Sequence, residues 1–341
     1  MRKTFLTLFG LAVVLGLAAL FGEPSHAATL DSRALGLMAF GGISVNAANI
    51  RALSVSFRDI YNSVNAATPN RDHYQRLATE IPSTARSNEY GWLGDNFKIR
   101  EWIGDRVLQN LATHSFTIPN KPFEGTIAVD RDDIEDDNLG VYKPMIGQIG
   151  EGAAIHPNEL VFDCLRQGET ALCYDGQPFF DTDHLGWDDR GKEISVSNHM
   201  GGTGEPWFLL CTMRQLKPLI FQKRRNYQFA YMDSPTDEYV FTAKKFRYGV
   251  DARVNGGFAL WQMAIMSRQP LTHDNYAAAK AAMTAIRKQN GQPAGFAADT
   301  LMVPSTLEGA ARKILINETK PNGESNEWKG SAQLFNTVWL G

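Results

Sequence analysis

The stretch from Pro119 to Gly168 constrains this chain more than any other, because its period changes from strand-like to helix-like within a few residues. Thr126–Val129 mixes small and β-branched residues, the composition of a strand. An acidic run, Asp130–Asp137, follows and is broken only by Arg131 and Ile134. Apolar positions then recur at helical spacing, with Leu139, Tyr142, Met145 and Ile146, Ile149 and Ala153 on one face. Pro144 fits a first helical turn, where a missing N–H has no intrahelical partner to lose. Pro157 is expected to end or kink the helix. Leu160, Val161, Cys164 and Leu165 form a second apolar stripe that stops at Gly168. Negative charge ahead of a helix N-terminus is favourable by up to about 1 kcal/mol. The acidic run therefore reads as a solvated cap, and no calcium-loop spacing can be drawn through it. The pattern is strand, acidic cap and interrupted helix, with Met145, Ile146 and Ile149 as a core face on a helix long enough to act as a spine.

The chain's 341 residues allow one large or two ordinary domains, and 43% hydrophobic with 21% charged residues is a globular composition. A net charge of −3 gives no general basic field, which argues against nucleic-acid binding as the main task. Three cysteines, Cys164, Cys173 and Cys211, cannot all pair and have no zinc-ligand spacing, so they read as core thiols or as a sign of a reducing compartment. The N-terminus says something different. Arg2 and Lys3 precede the apolar run Phe5–Phe21, and Ser25-His26-Ala27 resembles a small-x-small cleavage site, the grammar of a secretory signal. Gly10, Gly16 and Gly22 weaken the run as a permanent anchor, and no stable membrane association is expected.

From Ser44 the sequence becomes globular. Asn46 is a candidate N-cap, and Ile50, Leu53, Phe57, Ile60, Tyr61 and Val64 form an amphipathic stripe. Two tryptophans then fall close together, in Tyr-Gly-Trp-Leu-Gly at 90–94 and Arg-Glu-Trp-Ile-Gly at 100–104. Glycines and alternating charges around them predict a hairpin with strands near Phe97–Trp102 and Arg106–Ala112. Tryptophan with arginine is the composition of an interface hot spot, so Trp92, Arg100, Glu101, Trp102 and Arg106 are candidate contacts between subunits, with core packing an equal alternative for the tryptophans.

The segment 173–191 gathers Asp175, Asp181, Asp183, His184, Asp188 and Asp189, residue types that bind divalent metals. A calcium loop started at Asp181 puts Leu185 at the fifth position and Lys192 at the twelfth, where oxygen ligands are required, so a structural loop with no metal or cofactor is the better reading. Gly201-Gly202-Thr203-Gly204 is badly spaced for a dinucleotide fingerprint and reads as a flexible joint. Lys223-Arg224-Arg225 is a local basic cluster that reads first as a solvated turn, with a DNA-facing surface as the alternative. Strands are expected at Trp207–Thr212, Leu219–Phe221, Tyr239–Thr242, Phe246–Val250 and Ala259–Met266, with a bend at Arg253 and Gly256-Gly257. A helix follows from His273 to about Gln289, then a strand at Thr300–Val303, a capping box at Ser305–Glu308, and an aromatic strand at Leu334–Leu340. No nucleophile elbow, zinc-protease helix, phosphate loop or Cys-x-x-Cys appears, so no catalytic constellation is expected.

The chain resembles the Mu-like prophage major head subunit family, gpT, of tailed phages. The resemblance rests on the two tryptophan motifs, Phe-Glu-Gly-Thr at 123–126 and Arg-Asp-Asp-Ile-Glu-Asp-Asp-Asn at 131–138. It also rests on Cys-Tyr-Asp-Gly-Gln at 173–177, Phe-Phe-Asp at 179–181, Lys-Pro-Leu-Ile-Phe-Gln at 217–222 and Phe-Ala-Leu-Trp-Gln-Met-Ala at 258–264. It implies an α+β fold of the Hong Kong 97-like phage capsid type. Residues 1–43 lie outside the resemblance as a leader, 44–95 form an N-terminal arm, and 96–122 an extended β-hairpin loop. Residues 123–270 form a peripheral domain with the spine helix, and 271–341 an axial α/β lobe. It further implies a non-enzymatic major capsid protein that assembles with itself as pentamers and hexamers, with scaffold protein, portal and head-maturation protease as partners and double-stranded DNA enclosed by non-specific contact. Assembly in the host cytoplasm and residence in the virion conflict with the signal-like leader, so residues 1–43 are expected to be missing from the working shell. The alternative is an exported, metal-assisted hydrolase using the Asp/His loop at 175–189.

Overall fold

The computed structural model describes residues 44–90, 116–136 and 138–340. Asn46 opens helix α1, Ala47–Ala67, by accepting the Asn49 amide on its side chain. Ile50, Leu53, Phe57 and Tyr61 are buried along one side, while Ile60 and Val64 are half covered. Ser54 takes a buried place in this stripe because its hydroxyl reaches Ile50 O, Asp233 and Tyr248. Asn70, with φ at 59°, turns the chain after the helix.

Three short strands follow: β1 (Ala78–Pro82), β2 (Ser87–Glu89) and β3 (Thr117–Pro119). Strand β4 spans Lys121–Asp130, so the predicted Thr126–Val129 is its second half. The acidic run is more than a cap. Asp130 accepts the Asp132 amide and starts a short helix, α2 (Arg131–Glu135), which buries Ile134. Helix α3, Tyr142–Arg166, is the long helix expected as a spine, about 37 Å long at 1.5 Å per residue. Pro144 sits in its first turn as expected, but Pro157 neither ends nor breaks it. A proline inside a helix costs about 3 kcal/mol, and here packing on both sides of it offsets that cost. Ile146 and Ala153 lie in one core cluster with α1, and Val161, Phe162 and Leu165 lie in another.

Two sheets line these clusters, the first contributing to both. The first has the order β1-β9-β10-β4, dominated by the long antiparallel hairpin of β9 (Leu219–Met232) and β10 (Lys245–Phe258), with β1 parallel to β9. The second has the order β13-β12-β8-β11-β7, from β7 (His199–Gly202), β8 (Trp207–Leu210), β11 (Ala264–Arg268), β12 (Thr300–Pro304) and β13 (Gln333–Thr337). Helices α5 (His273–Ala285) and α6 (Glu308–Leu315) supply Tyr276, Ala279, Met283, Ala311 and Ile314 to its core. A small hairpin of β5 (His184–Trp187) and β6 (Glu193–Val196) stands between the spine and β7.

Several expectations are corrected. Tyr239–Thr242 is not a strand but most of helix α4 (Glu238–Ala243), which carries the chain across the end of the β9–β10 hairpin. Ala259–Met266 is strand only from Ala264, after a 3₁₀ turn at Trp261–Met263. Arg253 and Gly256-Gly257 are no bend: they lie within β10, where the pairing with β9 slips beside Arg253. The Gly201–Gly204 stretch is not a free joint, since a Cβ on Gly202 (φ 99°) would stand 2.3 Å from Arg268 C. Ser305–Glu308 closes no capping box because Glu308 is held by Arg312 and Asn336. The α/β lobe is not built from 271–341 alone. Strands β7, β8 and β11, from the segment expected to be peripheral, complete its sheet.

Candidate functional site

Strands β2 and β3 pair antiparallel, and the Tyr90 amide donates to Phe116 O at 2.8 Å. Tyr90 and Phe116, the residues that flank 91–115, therefore lie side by side. A buried polar network fixes this root. The Tyr90 hydroxyl donates to Gln222 Oε1 at 2.8 Å, while Gln222 Nε2 donates to Ile118 O at 2.9 Å and Asn120 Oδ1 at 2.8 Å. Asn120 in turn donates to Ser83 Oγ and Ala85 O, and Asn255 to Pro119 O. Sequence reasoning missed Gln222, whose only signal was a glutamine inside an apolar strand. The candidate contacts Trp92, Arg100, Glu101, Trp102 and Arg106, and the hairpin predicted around them, lie outside the described residues.

The spine face is partly as predicted. Ile146 is fully buried and Ile149 half buried, but Met145 is 37% exposed. Adjacent helical positions are 100° apart, so Met145 and Ile146 cannot both face α1. The contact itself is made by small residues. A Cβ on Gly150 would lie 2.7 Å from Tyr61 O, and Asn65 Nδ2 donates to Gly150 O at 3.0 Å.

The basic cluster is largely neutralised where it lies on β9. Lys223 Nζ is 2.7 Å from Glu80 Oε2 and Arg225 pairs with Asp251, which leaves Arg224 as the cation without an ion-pair partner among the described residues. Burial raises Glu80, but hydrogen bonds from Lys223 and Tyr74 outweigh it and hold the carboxyl below its ordinary range. A cavity of about 260 Å³ opens between spine and sheet, lined by Phe123, Ile149, Ala153, His156, Tyr227 and Val250. Within it His156 Nδ1 meets the Tyr227 hydroxyl at 2.6 Å, and burial keeps the imidazole below its usual pKa.

The acidic and histidine residues of 175–189 do not converge. Asp181 and Asp188 accept nearby backbone amides and shape turns, Asp189 is exposed, and among the described residues Asp183 reaches only Gln177, at 3.5 Å. Asp175 and His184 alone meet, with Oδ2 2.8 Å from Nδ1. Their third neighbour is Cys173, a donor the sequence placed among core thiols. Elsewhere, Glu169 at the end of the spine accepts from Nε and Nη2 of Arg268 and lies 3.1 Å from His199 Nε2. The Arg268 guanidinium, helped by His199, holds Glu169 below the usual carboxylate range. Among the described residues no helix is long and apolar enough to cross a membrane.

A helix spanning two cores, a long hairpin sheet and a second mixed sheet define a class: the fold is that of phage capsid proteins. One chain of the procapsid of bacteriophage JBD30 superposes with a TM-score of 0.75 at 42% identity, covering 86% of this chain and 100% of that one. A chain of the JBD30 capsid gives a TM-score of 0.66 at 32% identity, covering 79% and 90%. The major capsid protein of Escherichia phage Mu is 38% identical over 305 residues, 87% of this chain and 99% of that protein. Residues 50–340 match the family described as Mu-like prophage major head subunit gpT. The chain belongs to that family, the major capsid proteins of Mu-like phages.

Proposed function

We propose that this chain assembles in many copies into a closed icosahedral shell around double-stranded DNA, built from pentamers and hexamers in the host cytoplasm. The observation that carries the reading is the match to the JBD30 procapsid chain over that chain's whole length. Helix α1 serves as the N-terminal arm and the segment rooted at Tyr90 and Phe116 as the extended loop. The hairpin sheet with the spine forms a peripheral domain, and the five-stranded sheet an axial one. Scaffold, portal and maturation protease act on the shell from outside this chain. Single interfaces of roughly 1,000–2,000 Å² become durable through repetition and closure.

The buried root supports the assignment of the loop, because a lever that contacts a neighbour needs a fixed base. Electron microscopy of the purified chain tests the function: shells or capsomers support it, and monodisperse small particles overturn it. Trp102→Ala tests the loop. Loss of a hot-spot aromatic costs about 2 kcal/mol at each contact, so shells fail while the subunit keeps its circular dichroism and solubility. Intact shells, or an unfolded subunit, would remove Trp102 from the interface.

A further inference from the structure

We infer that Cys173, Asp175 and His184 form a structural zinc site that ties the turn after the spine to the β5–β6 hairpin. The inference stands apart from shell assembly and implies no catalysis.

The backbone brings three different donors to one point. The Cys173 amide donates to Gln177 O, the Gly176 amide to Cys173 O, and Gly176 has φ at 83°. This tight turn folds the Asp175 carboxylate back over Cys173, whose thiol donates to Oδ1 at 3.1 Å, and the Gln177 amide fixes the same oxygen. His184, the first residue of β5, is fully buried with its ring stacked on Trp261 at 4.2 Å and 7°. Its Nε2 has no partner among the described residues, so the ring is held by that stack and by what lies at Nδ1. The sulfur, oxygen and nitrogen all lie within 4.8 Å of one another.

Charge points the same way. The Asp175 side chain is 17% exposed, and neither Lys nor Arg pairs with it among the described residues. A largely buried carboxylate without a basic partner favours a bound cation. Thiolate, imidazole and carboxylate together suit zinc, whereas magnesium and calcium prefer oxygen alone. Donors around tetrahedral zinc stand about 3.3–3.8 Å apart, so the two hydrogen-bonded pairs, at 3.1 and 2.8 Å, need to open by less than about 1 Å, while Sγ and Nδ1 lie within 4.8 Å of each other. On binding, the Cys173 Sγ–H proton leaves to solvent and the imidazole offers Nδ1 with its proton on Nε2, so that sulfur and nitrogen each present a lone pair. A cavity of about 410 Å³, lined by Asp175, Gln177, Asp183 and His184, gives solvent access and room for a fourth ligand, water or the Asp183 carboxylate.

The test uses the full chain, stripped with chelator and titrated with zinc, and separately with cobalt(II), magnesium and calcium. One zinc per chain is expected, with about one proton released, as read from calorimetry in two buffers. Cobalt should show a thiolate-to-metal charge-transfer band and tetrahedral visible bands, while magnesium and calcium do not bind. Cys173→Ser keeps the hydrogen bond to Asp175, so the chain should stay folded while zinc binds at least about 100-fold more weakly and the band disappears. Folded wild-type chain that takes up no stoichiometric zinc, cobalt bound without the band, or zinc binding unchanged in Cys173→Ser would each overturn the site.

Discussion

Ile146 and Met145 are neighbours in sequence with opposite environments, one fully buried against α1 and one 37% exposed. Ile146→Asp buries an unpaired charge and should cost more than about 4 kcal/mol, enough to abolish soluble protein. Met145→Asp should stay within about 0.5 kcal/mol of wild type. Urea unfolding of the two variants checks the assignment, and equal losses would mean that both side chains are core. Gln222 is the other residue that decides a local structure. Replacing it by Leu removes its buried hydrogen bonds to Tyr90, Ile118 and Asn120, at about 1–3 kcal/mol. Hydrogen exchange should then speed up at Tyr90 and Ile118, whose amides lie at the root, before it does in β9.

At the scale of elements, α1 and α3 approach closely because Gly147 and Gly150 present no side chain to the last turns of α1. Gly150→Ala gains helix propensity worth about 1 kcal/mol, yet its Cβ would meet the Tyr61 carbonyl at 2.7 Å. Backbone cannot yield as a flexible side chain does, so the clash should win by about 1–3 kcal/mol. The expected result is faster amide exchange across 47–67 with α3 unchanged; unaltered protection would show that α1 is free to slide. Pro157 illustrates the same scale. Its local preference favours a break, but the helix continues because its two ends are anchored in different cores.

For the whole molecule, the Glu169–Arg268–His199 node joins the end of the spine to the edge of the second sheet. The Glu169 pKa is depressed on folding, so its contribution is fully present above the ordinary glutamate value of about 4.3 and is lost as pH falls through the lower folded value. Stability measured by urea unfolding should therefore fall with acid over that window. Glu169→Gln should be less stable near neutral pH and show a shallower acid limb. An unchanged limb would assign the acid sensitivity to other carboxylates, such as Glu80 and Asp175, whose pKa values are also lowered.

Periodicity and capping chemistry are local, so the sequence alone determined α1 with its Asn46 cap, the spine helix and its Pro144 start, the strand before it, and the family through ordered motifs. It also determined that the Asp/His segment lacks the spacing of a calcium loop. Only the tertiary structure decided what depends on residues far apart in the chain. Packing from two cores carried the helix through Pro157, and the 100° step between neighbours sent Met145 to solvent. Glu80 and Asp251 neutralised two of the three cations at 223–225. Strands from 199–210 and 264–268 completed a sheet that the linear order had assigned to 271–341. The meeting of Cys173, Asp175 and His184 is of the same kind, because a turn set by Gly176 and a strand beginning at His184 place side chains together that spacing alone leaves apart.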